Sequence, residues 1–432
     1  MTKDRVNDFL KKYKMDYAGI DMEKSCDLFL SDMEKGLAGQ KSSLKMIPTY
    51  ISMDKDIPVG EKVIVMDAGG TNFRVATVYF DSDKKPVIED FQKYPMPGTE
   101  GEIGTDEFFD TICRYLGPVL EKSNKIGFCF SYPTEILPNK DGKLISFCKE
   151  VRVRGAEGML VGKSLLDALK NKGHTEDKSI VLLNDTVATL LGGRAAYPDR
   201  VFDSYIGFIL GTGTNTCYVE ANKNIKKSPE ISASQGAMLI NIESGAYDKA
   251  ERGIIDAEFD KSTVNPDRYK FEKMISGGYQ GGLMLTVFKK AAADDLFGGK
   301  FTEGIRKISE LSSKAIDDFL YYPFGDNALA RICDRNDRLV LYYLIDAMLE
   351  RAAKLVAVNI SAVVMKTGKG TDPSMPVCVA AEGTTFYKSK LLRGKLDYYI
   401  RTFLNDKKGT YCEFVQADSA TLIGTAIAAL LN

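Results

Sequence analysis

Tryptophan is absent from this chain, and histidine occurs once, at His174. One imidazole cannot build a multi-histidine zinc site within a single chain. A serine–histidine–aspartate hydrolase would have to use His174 as its base, yet that residue stands in Lys-Gly-His-Thr-Glu-Asp-Lys, which reads as a solvated turn. The eight cysteines contain no Cys-x-x-Cys pair and mostly lie among apolar neighbours, as small core residues in a reducing compartment do. A basic excess is missing too. The chain has 58 Lys+Arg against 59 Asp+Glu, a net charge of −1, which gives no support to a general nucleic-acid or anionic-membrane binder.

Long apolar runs are also lacking. The most apolar stretch, Leu339 to Met365, is broken by Asp346, Glu350, Arg351 and Lys354, so it reads as a long helix with a buried face and not as a membrane span. The opening MTKDRVNDFLKKYKM has no secretory apolar region. Its Val6, Phe9, Leu10 and Tyr13 share one helical face, which is expected to dock on the protein's own core. The expectation is a cytoplasmic protein with neither membrane insertion nor a nucleic-acid partner.

What is present is ordinary globular material: 432 residues, 44% hydrophobic and 27% charged. At about 100–200 residues per domain this suggests two to four domains. Helical pattern fills the chain to about Pro48. Strands are expected at Lys62–Asp67, Phe73–Phe80 and Pro86 to about Tyr94, then a helix over Asp106–Lys122 and strands at Lys125–Ser131 and Ser179–Leu183. Ser204–Leu210 begins a second block of strand, Gly-Thr-Gly turn and strand. Helices dominate after about residue 265, up to a last strand at Pro376–Ala381 and a closing helix from Thr421. Strands alternating with helices argue an α/β architecture.

One motif recurs. Asp67-Ala-Gly-Gly-Thr-Asn-Phe-Arg-Val and Gly211-Thr-Gly-Thr-Asn-Thr-Cys-Tyr-Val each lie between two strands and share a Gly-Thr-Asn core, which suggests two related domains facing each other across a cleft. Glycine turns expose backbone N–H groups and can wrap an anion, so two of them facing one cleft suit a triphosphate. Gly158-Met-Leu-Val-Gly162-Lys163-Ser164 imitates a P-loop but has three residues between its glycines where four are needed; it reads as a helix start. No G-x-G-x-x-G follows a strand. Asp67 and Asp185 each end an apolar strand, where a carboxylate points into the ligand crevice of an α/β sheet. Asp67 beside a phosphate-type turn suits Mg²⁺, whereas for Asp185 a helix N-cap is the competing role.

Several longer motifs, in order, resemble those of the eukaryotic-type hexokinase family from about residue 25 onward. They are Ser43-Leu-Lys-Met-Ile-Pro-Thr-Tyr50, the Asp67 motif, Gly127-Phe-Cys-Phe-Ser-Tyr-Pro133, Ser146-Phe-Cys-Lys149, Asn184-Asp-Thr186, Leu210-Gly-Thr-Gly-Thr-Asn215 and Phe271-Glu-Lys-Met-Ile-Ser-Gly277. The resemblance implies an actin-like (RNase H-like) hexokinase fold: one catalytic unit with two α/β domains around a hinged sugar/ATP cleft. The small domain would be 62–182 with the helix 419–432, and the large one 1–61 with 183–418; in sequence terms the halves are 1–200 and 204–432.

By the same resemblance Asp185 is the general base that takes the proton of a hexose C6 hydroxyl. Ser131, Cys148, Lys149, Asn184, Asn215 and Glu243 contact the sugar. Asp67 holds Mg²⁺ through water. Gly69, Gly70, Thr71, Asn72 and Arg74 line the phosphates together with Gly211, Thr212 and Gly213. Glu382, Gly383, Thr384 and Ser419, the last within Asp418–Gly424, serve the adenosine end. ATP with Mg²⁺ would be the phosphoryl donor and a hexose, glucose first, the acceptor, feeding glycolysis; oligomeric state is left open.

The chain departs from the family pattern at Cys148, where the family has Thr, and at Gly282, where it has a sugar-binding Glu. Gly282 is expected to leave room for water or a bulkier group such as a 2-amino substituent. Glu382 replaces Asp, Thr384 replaces Ser, and 418–424 is less glycine-rich than in the family. These changes keep a kinase for mannose, fructose or an amino sugar and a weakly active sugar-sensing binder in play; an actin-like filament protein is a third rival, sharing the expected fold and ATP site but needing no sugar set at Ser131, Lys149, Asn215 and Glu243.

Overall fold

The computed structural model describes residues 2–53, 55–147, 151–174 and 176–432. Two sheets organise the chain. The first has five strands in the order Ser179–Leu183, Lys125–Phe130, Val63–Ala68, Asn72–Phe80, Pro86–Pro95. Its first two pairings are parallel and its last two antiparallel. The second runs Cys412–Val415, Val377–Glu382, Ser204–Leu210, Thr214–Ala221, Ala237–Asn241, Ile47–Pro48. Again two parallel pairings are followed by antiparallel ones. The repeated Gly-Thr-Asn turns therefore join equivalent central hairpins, Val63–Phe80 and Ser204–Ala221. The central strand Val63–Ala68 is buried at every position, as its Val/Ile run requires of a strand covered on both faces.

Each half ends by handing a helix to the other. Asp185–Ala196 follows the first sheet's edge strand yet packs on the second sheet, and Ala420–Leu431 follows the second sheet's edge strand yet packs on the first. The two helices cross in backbone contact. A Cβ on Gly424 would lie 1.8 Å from the Ala188 carbonyl oxygen, and one on Gly192 2.3 Å from that of Ala420, so only glycine fits at this crossing. Both helices are buried nearly all round, and with the inner sheet faces they form one core that includes Val65, Ala76, Val187, Leu190, Ile427 and Leu430.

The outer face of the first sheet is covered by Thr105–Leu116 and Val161–Asn171, around Phe108, Phe128 and Leu165. The outer face of the second packs on Met22–Leu37 and the 33-residue helix Arg335–Thr367, around Phe29, Phe208 and Val356. Each such fully buried side chain stabilises the fold by about 1.5–3 kcal/mol before entropy is subtracted. A third, all-helical body is built by Gly277–Ala293 and the first half of the long helix. Val6, Phe9 and Leu10 of the opening helix Thr2–Lys12 are buried in it, and Lys12 and Tyr13 bond Asp294, so that helix docks on its own chain.

Several elements differ from the sequence expectation, among them the short strand pairs Ile103–Gly104 with Val153–Arg154 and Thr134–Ile136 with Gly142–Leu144. The opening helical region closes on a short strand, Ile47–Pro48; the span 106–122 is α-helix only to Leu116 and then 3-10; and the strands Ala237–Asn241 and Cys412–Val415 were not expected. Among the described residues no helix is long and apolar enough to cross a membrane.

Candidate active site

The carboxyl ends of the three parallel strands of the first sheet are level. Asp67, Cys129 and Leu183 are in register, and Asp185 follows two residues later. Asp67 is 6% exposed, and its Oδ2 accepts from Arg74 Nη1 at 3.0 Å. Burial raises its pKa; Arg74 opposes that rise and the nearby charge of Asp185 adds to it, so the two carboxylates face one space. The Cys129 thiol, fully buried, hydrogen-bonds both Asp67 and Ser131, and burial pushes its pKa well up, which keeps it a neutral donor. The cap of helix Asp185–Ala196 is Asn184, whose Oδ1 accepts from Thr186 N at 2.9 Å. Asp185 is thus not spent as the cap, and sits in the helix's first turn, where its charge is favoured.

The turn Gly69–Asn72 is pinned from below. Gly69 N donates to Asn72 O at 3.1 Å, Met96 N to Thr71 O at 3.0 Å, and Tyr132 Oη to Gly69 O at 2.5 Å. Ser131 N also bonds Ala68 O at 3.3 Å. Gly70 and Asn72 remain partly exposed, and Thr71 is exposed.

Asn184 also reaches the second half of the chain. Asn215 Nδ2 donates to Asn241 Oδ1 at 2.7 Å and lies 3.4 Å from both Asn184 Oδ1 and Glu243 Oε1; Asn241 Nδ2 bonds Glu243 Oε1 at 2.8 Å. Glu243 adopts a left-handed backbone, φ +60°, which strains a non-glycine residue and aims its side chain into the cluster. Three carboxamides and a carboxylate here offer both donors and acceptors, the equipment needed for a polyhydroxylated ligand. Asn241 belongs to this group although sequence reasoning missed it; the only signal was its place two residues before Glu243.

A third component surrounds the second glycine turn. Gly211 N bonds Gly213 O at 2.9 Å, and Gly277 N and Gly278 N, at the start of helix Gly277–Ala293, donate to Gly211 O and Thr212 O. Thr385 Oγ1 also bonds Gly211 O at 3.0 Å. Glu272, another residue not anticipated, accepts from Thr214 N at 2.9 Å. Gly383, at φ +118°, packs its backbone on Leu210–Gly211. Glu382 is held above its usual pKa by burial, with the charge of Asp418 adding and that of Arg74 opposing. Thr212, Thr384 and Ser419 are exposed, and Ser419 is left-handed at φ +54°. Cys148 and Lys149 lie outside the described residues.

Two sequence features resolve differently from one another. The P-loop imitation is a helix start, as expected, and its N-terminus is already filled: Asp141 accepts from Gly142 N and Gly162 N at 2.6 Å and from Lys163 N at 2.9 Å. The expectation of open room at Gly282 is corrected. A Cβ there would stand 2.8 Å from Phe259 Cε2, because helix Ile254–Ser262 presses that ring against the glycine.

Among the described residues no cluster of three or more His, Cys, Asp or Glu is arranged to hold a metal by itself. Asp67 nevertheless fits Mg²⁺ chemically: a single hard carboxylate beside a phosphate-type turn is the usual protein share of a site completed by substrate phosphates and water.

Two sheets of like strand order, exchanging helices and presenting glycine turns to a shared polar centre, define the actin-like class of two-lobed fold. Two hexokinase family models match the chain, one over residues 5–195 and the other over residues 205–431. The chain belongs to the hexokinase family. Mouse hexokinase-3 is 29% identical over 374 residues, covering 82% of this chain and 40% of that protein. Human hexokinase-2 is 27% identical over 424 residues, covering 92% and 45%. The chain thus spans less than half the length of these curated relatives. Among solved structures, the Schistosoma mansoni hexokinase complexed with glucose superposes with a TM-score of 0.80 at 23% identity, covering 99% of this chain and 98% of that one.

Proposed function

We propose that this chain is an ATP-dependent hexose kinase that phosphorylates the C6 hydroxyl. The observation that carries the reading is the adjacent pair Asn184–Asp185: Asn184 reaches the Asn215–Asn241–Glu243 cluster, and the Asp185 charge acts on Asp67 beside its glycine turn. In this reading the asparagines, Glu243, Ser131 and Lys149 hold the sugar so that O6 points at Asp185. The Asp185 carboxylate takes the hydroxyl proton as O6 attacks the γ-phosphorus; the bond from that phosphorus to the β-phosphate oxygen breaks, and ADP leaves. The glycine turns 69–72 and 211–213, through those backbone N–H groups not already bonded within the turns, and the Arg74 guanidinium carry the phosphate charge, so catalysis is mostly positioning and electrostatics. Bound Mg²⁺, held by Asp67 through water, would supply charge neutralisation. Glu382, Gly383, Thr384 and Ser419 would form the adenosine end.

The lobes in this reading are 62–182 with 419–432, and 1–61 with 183–418, closing about the crossed glycine-contact helices and excluding water from the phosphoryl group. A cytoplasmic location suits the seven described cysteines, all free thiols. Glucose is the first acceptor to test, since the Schistosoma relative was solved with it. A different hexose is the second reading, favoured by Phe259 packing where the family resemblance puts a carboxylate.

The experiment is MgATP-dependent ADP release with glucose, mannose, fructose, glucosamine and N-acetylglucosamine. Turnover with one hexose that falls about 10²–10⁴-fold or more in Asp185→Ala establishes the reading. No turnover with any of them, despite sugar-dependent thermal stabilisation, replaces it with a binder that has lost the chemistry.

A further inference from the structure

The long helix Arg335–Thr367 carries an anomaly behind the sugar cluster. From Leu355 to Val364 its residues are buried and apolar except Asn359 and Ser361, both wholly buried. Asn359 Nδ2 donates to Thr216 Oγ1 at 2.8 Å, while its Oδ1 has no partner. An orphaned buried acceptor is destabilising, so a helix selected only for packing would place an apolar side chain here.

The bond leads toward the sugar cluster. Thr216 Oγ1 shares a hydrogen bond with Ser244 Oγ at 3.1 Å, and both residues are fully buried. The backbone N–H groups of the same two residues converge on one acceptor: Asn215 Oδ1 receives Thr216 N at 2.7 Å and Ser244 N at 3.2 Å. Two donors on the oxygen fix which way the Asn215 amide points, with Nδ2 toward Asn241, Asn184 and Glu243. Ser244 directly follows Glu243, whose left-handed backbone needs holding from outside. One clip thus ties strand Thr214–Ala221 to the turn after Glu243, and Asn359 anchors the clip to the longest helix of the protein.

We propose that Asn359, Thr216 and Ser244 are positioning residues for hexose binding: a buried polar brace, out of contact with ligand, that sets the Asn215 amide and the Glu243 carboxylate. The inference rests on the hexose-kinase reading for its ligand, but its geometry can be tested without one. With the Asn359–Thr216–Ser244 side chains bonded, the strand and the turn after Glu243 are held so that both backbone N–H groups reach Asn215 Oδ1; without that link the two segments can part and the amide loses one of the donors that fix its sense.

The test compares Asn359→Leu, Thr216→Val and Thr216→Ser in the full chain. Asn359→Leu and Thr216→Val should raise the hexose KM about 3- to 10-fold, the loss of one net hydrogen bond. The MgATP KM and kcat should stay unchanged, and Thr216→Ser, which keeps the hydroxyl, should behave as the parent. The double variant Asn359→Leu/Thr216→Val should be no worse than either single one, because both cut the same chain. An unchanged hexose KM in both single variants overturns the proposal, as does a loss that falls equally on MgATP. If Asn359→Leu fails to fold, the Val/Ser pair at 216 decides. If the parent turns over no hexose, the functional reading has failed, and side-chain amide resonances of ¹⁵N-asparagine-labelled protein decide the brace. The Asn215 pair should shift in Thr216→Val and not in Thr216→Ser; a pair that stays put in both overturns it.

Discussion

Arg74 Nη1 lies 3.0 Å from Asp67 Oδ2, and the two residues are direct cross-strand partners in the hairpin Val63–Phe80. Burial drives the Asp67 pKa up, and Arg74 is the main influence holding it down. The Arg74 charge also weakly opposes the burial-driven rise at Glu382, which ends a strand of the other sheet.

Removing it in Arg74→Ala should therefore raise the MgATP KM by about tenfold or more, the scale of a lost charge-assisted hydrogen bond. Hexose affinity measured by calorimetry should not move. Arg74→Lys should recover little, since an ammonium lacks the planar fork. Equal losses for sugar and nucleotide would refute this division of labour.

Gly282 and Phe259 make a second prediction. Gly282→Glu alone should lower thermal stability, because the new Cβ meets the ring; overpacking of this kind costs about 1–3 kcal/mol. Paired with Phe259→Ala, which removes the ring at its own cost in core packing, the same substitution should tighten glucose binding. Tighter glucose binding in the single variant, at unchanged Tm, would show that the ring is not the obstacle.

Tyr132 holds the phosphate-type turn through one hydroxyl, 2.5 Å from Gly69 O. Tyr132→Phe keeps the ring and should cost about 0.5–1.5 kcal/mol in stability. Its kinetic mark should be a raised MgATP KM, with the hexose KM nearly preserved. A variant indistinguishable from the parent in both KM values would mean that the turn needs no such pin.

Asp260 supplies a pH test. Burial works against its ionisation, but Lys273 Nζ at 2.5 Å, the Asp267 N–H and Arg252 together outweigh burial and hold the carboxyl below its usual value. A depressed folded-state pKa gives stability that is present above the unfolded value and lost as pH falls through the folded one. Asp260→Asn should thus be less stable than the parent at pH 7, with the gap closing as pH falls from about 5 to about 3. A gap that is absent at neutral pH, or that widens in acid, would contradict the sign.

How much of this was legible beforehand depended on how local each feature is. Ser179–Leu183 and Ser204–Leu210 were readable to the residue because a strand covered on both faces is a continuous apolar run between turn signals. The kinship of the two hairpins showed in their shared Gly-Thr-Asn core. Cys412–Val415 was hidden because it is a half-exposed edge strand with a glutamate in it. Asn241 could be recognised only when Ala237–Asn241 was laid beside Thr214–Ala221, which puts it across from Cys217, two residues beyond Asn215. Phe259 against Gly282, and Asn359 behind Thr216, join elements whose meeting no periodicity encodes. Asp67 and Asp185 stood out as carboxylates ending apolar strands, whereas Glu243 was singled out by the family resemblance alone.

The exchanged helix Ala420–Leu431 sets the order in which the protein can mature. The first sheet is complete by Leu183, but the helix that seals one of its faces is made only after the entire second half has been synthesised. Until then Val65, Ala76 and Leu183 have no cover, and a nascent chain must keep them from aggregating or lend them to a chaperone. A truncation before Ala420 would thus damage residues laid down far earlier, and a phosphate turn some 350 residues upstream would be lost with them.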